Sequence, residues 1–167
     1  MNFTIANPKP SDRSIFRKNI GRALLNKNND YYLKIWNIDY TSKENRLKRN
    51  LMRYIEKERQ IESEITHVLR ERFSFRYIVL GGQEKRIGEQ GLESRLIGTV
   101  ANCNICKASK NWLGRFSTVE QIRNGKLWLL QYLAAVGLTE QDKEAIAHTI
   151  TDTKEKISRI NESVYPK

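Results

Sequence analysis

Apolar residues recur at helical spacing along much of this chain. From Ser14 to about Lys27, Ile15, Phe16, Ile20, Ala23, Leu24 and Leu25 fall three and four apart, and Ser11-Asp12 offers a cap upstream. Thr41-Ser42-Lys43-Glu44 reads as a capping box, with Thr at the cap and Glu three residues later. It predicts one long helix from 44 to about Arg72, with a buried stripe of Leu47, Leu51, Tyr54, Ile55, Ile61, Ile65, Val68 and Leu69. A further helix is predicted over 84–101, with Leu92, Leu96 and Val100 as its apolar seam. Ser117-Thr118-Val119-Glu120 opens a short helix that ends at Asn124-Gly125, and Thr139 caps a last helix to about Ile160.

Other stretches alternate instead. Tyr31 to Tyr40 is aromatic and β-branched and reads as a strand, apolar on both faces. Tyr31 and Tyr32 are read there as packing residues. Phe73 to Leu80 alternates as a second strand, ended by Gly81-Gly82, and Leu127 to Leu133 reads as a short strand or extended segment. Strands among helices predict an α+β fold, a small sheet flanked by helices. Pro8 and Pro10 deny helix to residues 1–13, which read as an arm. Residues 14–138 form the expected body and 139–167 a C-terminal helical appendage.

Charge changes the picture more than composition does. A hydrophobic fraction of 39% in 167 residues allows a core, and no apolar run approaches the ~20 residues of a membrane span. The N-terminus has no signal-peptide pattern, so the expectation is a cytoplasmic protein with no membrane partner. The formal net charge is +11. Residues 139–167 hold five basic and six acidic residues, which leaves 25 basic and 13 acidic in 1–138, a net of +12. A basic body favours a polyanion through counterion release, and DNA is the expected partner. Arg17, Lys18 and Arg22 on the first helix, and Lys107, Lys110 and Arg115 in a basic loop, are the candidate nucleic-acid contacts. A solvated helix face is the equal alternative for the first three.

Two features point to ligand chemistry. Glu93 lies beside the Leu92, Leu96, Val100 seam, so it is expected at the edge of the core, where a carboxylate needs an Arg, a hydrogen bond or a metal ion. Cys103 and Cys106 form one Cys-x-x-Cys, but a structural zinc takes four ligands and the only His residues, His67 and His148, are distant in sequence. They are read as ordinary loop thiols, and His67 as a surface residue.

Three ordered motifs then stand out: Leu92-Glu93-Ser94-Arg95-Leu96-Ile97, Ala108-Ser109-Lys110-Asn111-Trp112-Leu113-Gly114 and Ile122-Arg123-Asn124-Gly125-Lys126-Leu127-Trp128. Together they resemble the C-terminal half of a GIY-YIG nuclease domain. The Phe16–Leu25 segment, Ile38-Asp39-Tyr40 and Phe73-Ser74-Phe75-Arg76 are similar to other parts of that family, so the resemblance spans about 14–133. It implies hydrolysis of DNA phosphodiesters with one divalent metal, usually Mg2+. It implies Glu93 as the metal ligand and a catalytic residue, and Asn111 as a neighbour that positions substrate or contacts phosphate. The family's Tyr pair and Arg have no counterpart here, because neither Gly-Ile-Tyr nor Tyr-Ile-Gly occurs in the chain. The expectation is therefore a truncated GIY-YIG-like body without its N-terminal hairpin, of an endonuclease family but with little or no activity. The alternatives are a non-catalytic basic nucleic-acid-binding module, and a helical interaction protein that forms a homodimer through the 44–72 helix or the C-terminal helix.

Overall fold

A computed structural model describes residues 11–74, 76–79 and 91–164. Its helices are α1 (Ile15–Lys27), α2 (Leu33–Trp36), α3 (Lys43–Met52), α4 (Ile55–Arg72), α5 (Leu92–Ala101), α6 (Glu120–Gly125) and α7 (Glu140–Val164), with single 3-10 turns at Ser11–Arg13 and Leu113–Phe116. Among the described residues there is no strand. The α+β class and the small sheet expected from the sequence are therefore corrected to a helical architecture. Contacts divide the chain into two compact units, one made of Met1–Ser74 with Ala108–Leu129 and the other of Phe75–Lys107 with Leu130–Lys167.

The first unit is organised on α1. Ser14 caps it by accepting the Arg17 N–H (3.4 Å), and Asn29 ends it in the left-handed region at φ 52°. Ile20 and Leu25 of α1 meet Tyr32 and Trp36 of the α2 turn and Ile61 and Ile65 of α4, with Leu113 and Trp128 packed against them. Each such side chain stabilises the fold by roughly 1.5–3 kcal/mol. Gly21 is required by this packing, since a Cβ there would lie 2.6 Å from the Trp36 indole. The indole N–H in turn donates to the Lys18 carbonyl (3.1 Å).

Between α1 and α4 the same unit buries charge. Arg17 is 7% exposed and its guanidinium meets the Glu62 carboxylate at 2.8 Å. Ser11 donates its backbone N–H and its hydroxyl to the same carboxylate (2.5 and 2.8 Å), and Arg17 also donates to Thr66 Oγ1 (3.1 Å). These bonds offset part of the cost of burying the two charges, while the Arg17 Nε–H is buried without a hydrogen bond to the described residues.

The Tyr31–Tyr40 strand is overturned by two local bonds to Asp30. Asp30 accepts the Tyr32 N–H through its side chain (2.9 Å) and the Leu33 N–H through its carbonyl (3.1 Å), which starts a helical turn. Tyr32 and Trp36, four apart, then face the core together, so the aromatic pattern served a helix as well as a strand. In the Phe73–Leu80 segment the described residues carry no ladder, and the Val79 N–H donates to Thr153 Oγ1 of α7 (2.8 Å). In Leu127–Leu133 the backbone reverses at Tyr132, whose φ is 61°. Gly81-Gly82 and the 84–90 part of the expected helix lie outside the described residues.

The long helix of 44–72 is two helices. Arg53 and Tyr54 separate α3 from α4, with Tyr54 extended at φ −98°, ψ 103°. No Gly or Pro marks this break. Arg53 turns inward to Asp12 (2.7 Å) and Glu58, over the Tyr40 ring (4.9 Å), and the Tyr54 N–H donates to the Tyr32 hydroxyl (3.1 Å). The first part of the expected stripe fails as a result: Leu47, Tyr54 and Ile55 are exposed, whereas Ile61 and Ile65 are buried. Ser42 rather than Thr41 caps α3, by accepting the Asn45 N–H (3.3 Å). At the second expected box, Ser117 accepts from Val119 instead, and α6 starts uncapped by a side chain.

In the second unit, Thr139 caps α7 as expected. Its hydroxyl accepts the Asp142 N–H (3.1 Å), while Asp142 accepts the Thr139 N–H (2.8 Å), a reciprocal box. Asp142 also meets Arg95 of α5 (2.8 Å), so the cap is tied to the neighbouring helix. Gly98 of α5 lets the Ala135 carbonyl approach to where a Cβ would lie, and Thr99 accepts the Leu138 N–H (2.7 Å).

Removing the Glu62 carboxylate leaves Arg17 buried and unpaired. Glu62→Ala is expected to lower stability by about 3–5 kcal/mol, whereas Arg17→Met combined with Glu62→Leu loses far less; urea unfolding of the three proteins measures this. Thr139 N–H, then the Thr139 hydroxyl and Arg95, hold the Asp142 carboxyl down at about 2 from 3.8. Its folded pKa lies below its unfolded one, so its contribution is present above the unfolded value and disappears as pH falls through about 2. Thermal unfolding followed between pH 5 and 2 is expected to show an acid-dependent loss that is diminished in Asp142→Asn.

Candidate functional site

Glu93 is the second residue of α5, after Gly91 at the N-cap and Leu92. A carboxylate in the first turn is favoured by the partial positive charge of the helix end, which is its structural role. The side chain is exposed, not set at the edge of a core. The reason is that α5 packs on a different face from the expected seam. Leu92, Ser94 and Gly98 are its buried positions, and Leu96 and Val100 are exposed. The Gly98 approach to Ala135 and the Thr99 bond to Leu138 fix that rotation.

Asn111 is also exposed, in the Ala108–Leu129 segment of the first unit, while Glu93 belongs to the second. The loop around Asn111 is built by Arg115, whose guanidinium donates to the Ala108 and Ser109 carbonyls (both 3.1 Å). Trp112 closes the turn against Gly114 and stacks edge-on with Trp128 (5.8 Å). Asn26 of α1 donates to the Phe116 carbonyl (2.9 Å), and Lys27 stands over the Phe116 ring (5.9 Å). Lys27, Lys110, Asn111 and Arg115 are thus exposed polar groups of one unit. Lys107 is exposed in the other.

The cations expected on α1 are placed differently. Arg17 is occupied by Glu62 inside the unit. Lys18 donates to the Ile38 carbonyl (3.1 Å) and lies over the Trp36 ring (5.3 Å), and burial pushes its ammonium below the usual lysine value. Arg22 donates to Asn37 (2.8 Å) and Asn19 (2.7 Å). Charge still favours the first unit. It carries 20 basic and 10 acidic residues, a net of +10, and the second unit carries 10 and 9, a net of +1.

Sequence reasoning missed one polar cluster. Arg53, Asp12, Lys18 and Glu58 surround Tyr40 and Tyr32, and the Tyr32 hydroxyl donates to Glu58 (2.8 Å). The Tyr40 hydroxyl is buried without a hydrogen bond to the described residues, and burial raises its pKa. The cluster is internally neutral, two cations against two carboxylates. No local signal announces it, because its members come from four separate segments.

As for a metal, no group of three or more His, Cys, Asp or Glu converges among the described residues. Glu93 offers a hard carboxylate oxygen with open access. That suits Mg2+, which takes one or two carboxylates and fills its other positions with water and substrate phosphate. The donor chemistry fits, at one ligand.

No described helix is long and apolar enough to cross a membrane. No curated protein and no solved structure matches the chain. The family profile described as the GIY-YIG domain matches residues 11–156, which reaches across both units and most of the chain. This chain belongs to the GIY-YIG nuclease family.

Proposed function

We propose that this protein binds DNA through the exposed cations of its first unit, that Glu93 is its ligand for a divalent metal, and that its own phosphodiester hydrolysis is weak or absent. The observation that carries the reading is the accessible Glu93 carboxylate at the start of α5, within a chain matched by a nuclease family over residues 11–156. A divalent ion there would supply charge neutralisation at a phosphate in reaction. Glu93 would hold it, and Lys27, Lys110 and Arg115 would contact the backbone phosphates of the duplex. Asn111, beside Lys110 on the same loop, would hydrogen-bond a phosphate oxygen through its amide. Low activity follows from the sequence, which contains neither of the tripeptides that carry the family's phenols.

The second reading, a non-catalytic nucleic-acid-binding module, is favoured by the net +10 of the first unit, since Glu93 lies in the near-neutral one. Both readings require DNA binding that weakens with salt, and they differ at Glu93.

Two outcomes test the proposal. Mg2+ or Mn2+ titrated onto the full chain is expected to bind in a way that Glu93→Gln abolishes, with slow or no cleavage of supercoiled DNA. Metal binding unchanged by Glu93→Gln would leave the binding-module reading, and rapid cleavage would refute low activity. Log affinity for duplex DNA is expected to fall linearly with log salt, and Lys27→Ala and Lys110→Ala are each expected to reduce the slope by about one. A conservative Arg17→Lys is expected to leave the slope unchanged, as read by fluorescence anisotropy at several salt concentrations.

A further inference from the structure

We propose that α3 is a base-reading helix that enters the major groove of duplex DNA, an inference that rests on the DNA-binding reading above and deepens it. A helix that packs on its own chain shows an inward stripe. α1 buries Ile20, Ala23 and Leu25, and α4 buries Ile61 and Ile65. Among its described side chains α3 has no such stripe. Lys43, Glu44, Leu47, Lys48 and Met52 are exposed, and Asn45 is half-buried. At about 100° per residue, the exposed positions run around about half of the helix. The core of the unit therefore does not account for this element.

The helix is nevertheless held at both ends. Ser42 caps it, and Asn45 donates its side-chain amide to the Asp39 carbonyl (3.1 Å). Past its last residue, Arg53 is drawn into the Asp12, Glu58 and Tyr40 cluster. Ten residues anchored in this way make a rod about 15 Å long that stands on the unit with much of its surface in water.

Charge selects what covers it. Lys43, Arg46, Lys48 and Arg49 stand against Glu44, a net of +3. Lys48 and Glu44 are 3.5 Å apart, but both side chains are more than half exposed, so the pair is weak and a phosphate can displace it. A second α3 would set +3 against +3, and like-charge juxtaposition is costly. A duplex instead offers phosphates on both rims of a major groove about 12 Å wide, which admits an α-helix. Leu47, 84% exposed, falls between Lys43 and Lys48 around the helix. With the two ammonium groups on phosphates, Leu47 would face the groove floor, where apolar contact reads the thymine methyl group.

The test reads the full chain on a labelled duplex by fluorescence anisotropy at several salt concentrations. Replacing Lys43, Arg46, Lys48 and Arg49 together by Ala is expected to lower affinity about ten-fold or more and to reduce the salt slope by about three. Leu47→Gln, which changes no charge, is expected to weaken binding several-fold with the slope unchanged. Circular dichroism and urea unfolding of both variants should match the parent, because no described side chain of α3 is buried. Dimethyl sulfate should find guanine N7, in the major groove, protected by the parent chain and unprotected by either variant. Parental affinity in both variants, with Lys110→Ala still weakening binding, would overturn this inference and leave the DNA-binding reading standing. No salt-dependent duplex binding by the parent would overturn both. Salt-dependent binding by the parent without N7 protection would overturn groove entry. Sedimentation with phosphatidylserine vesicles, or a concentration-dependent increase in mass, would assign α3 to a lipid surface or a second copy if the variants lost it while binding duplex normally, and either result overturns the proposal.

Discussion

The Arg17–Glu62 pair joins α1 to α4, and the first unit depends on it. A cation and a carboxylate withdrawn from water are costly unless every remaining lone pair and donor is met. Ser11, Thr66 and the Glu62 carbonyl meet most of that demand. The pair therefore fixes three things together: the start of α1, the position of the 3-10 turn before it, and the face that α4 presents. The apolar contacts of Ile20, Ile61 and Ile65 supply the bulk of the burial, yet apolar contact alone tolerates sliding. A bidentate clasp from Ser11 on one carboxylate does not.

The same arrangement separates formal charge from available charge. Arg17 and Arg53 are engaged inside the unit, Lys18 is largely covered, and Lys57 is joined to Asp30. A net of +11 read from the sequence thus overstates what a polyanion can meet at contact distance, although the long-range field remains. The exposed loop cations and Lys27 become more important than their number suggests.

The sequence made α1, the cap at Thr139 and the inward stripe of α4 legible, because each depends on neighbours within four residues, whereas the cap of α1 is Ser14 rather than the Ser11-Asp12 pair expected. Two of the failures share a cause. The α3–α4 break at Arg53 and the rotation of α5 were decided by contacts between distant segments: Arg53 with Asp12, Gly98 with Ala135. Tyr31–Tyr40 had a pattern compatible with two periods, and the side chain of Asp30 selected the helical one. For the site, the ordered motifs led to the family, and the family profile agrees. The surroundings of Glu93 were not legible, since its exposure follows from which face of α5 is packed.

The Arg53 insertion has a consequence for how α3 is held. No described side chain of α3 is buried, Leu47 is 84% exposed, and the helix ends where Arg53 turns away into the Asp12, Glu58 and Tyr40 cluster. On the other side the Asp39, Thr41 and Ser42 turn precedes it. What the described residues anchor is therefore the two ends of α3, and the periodic pattern that joined it to α4 in the sequence is interrupted by one inward-turned cation.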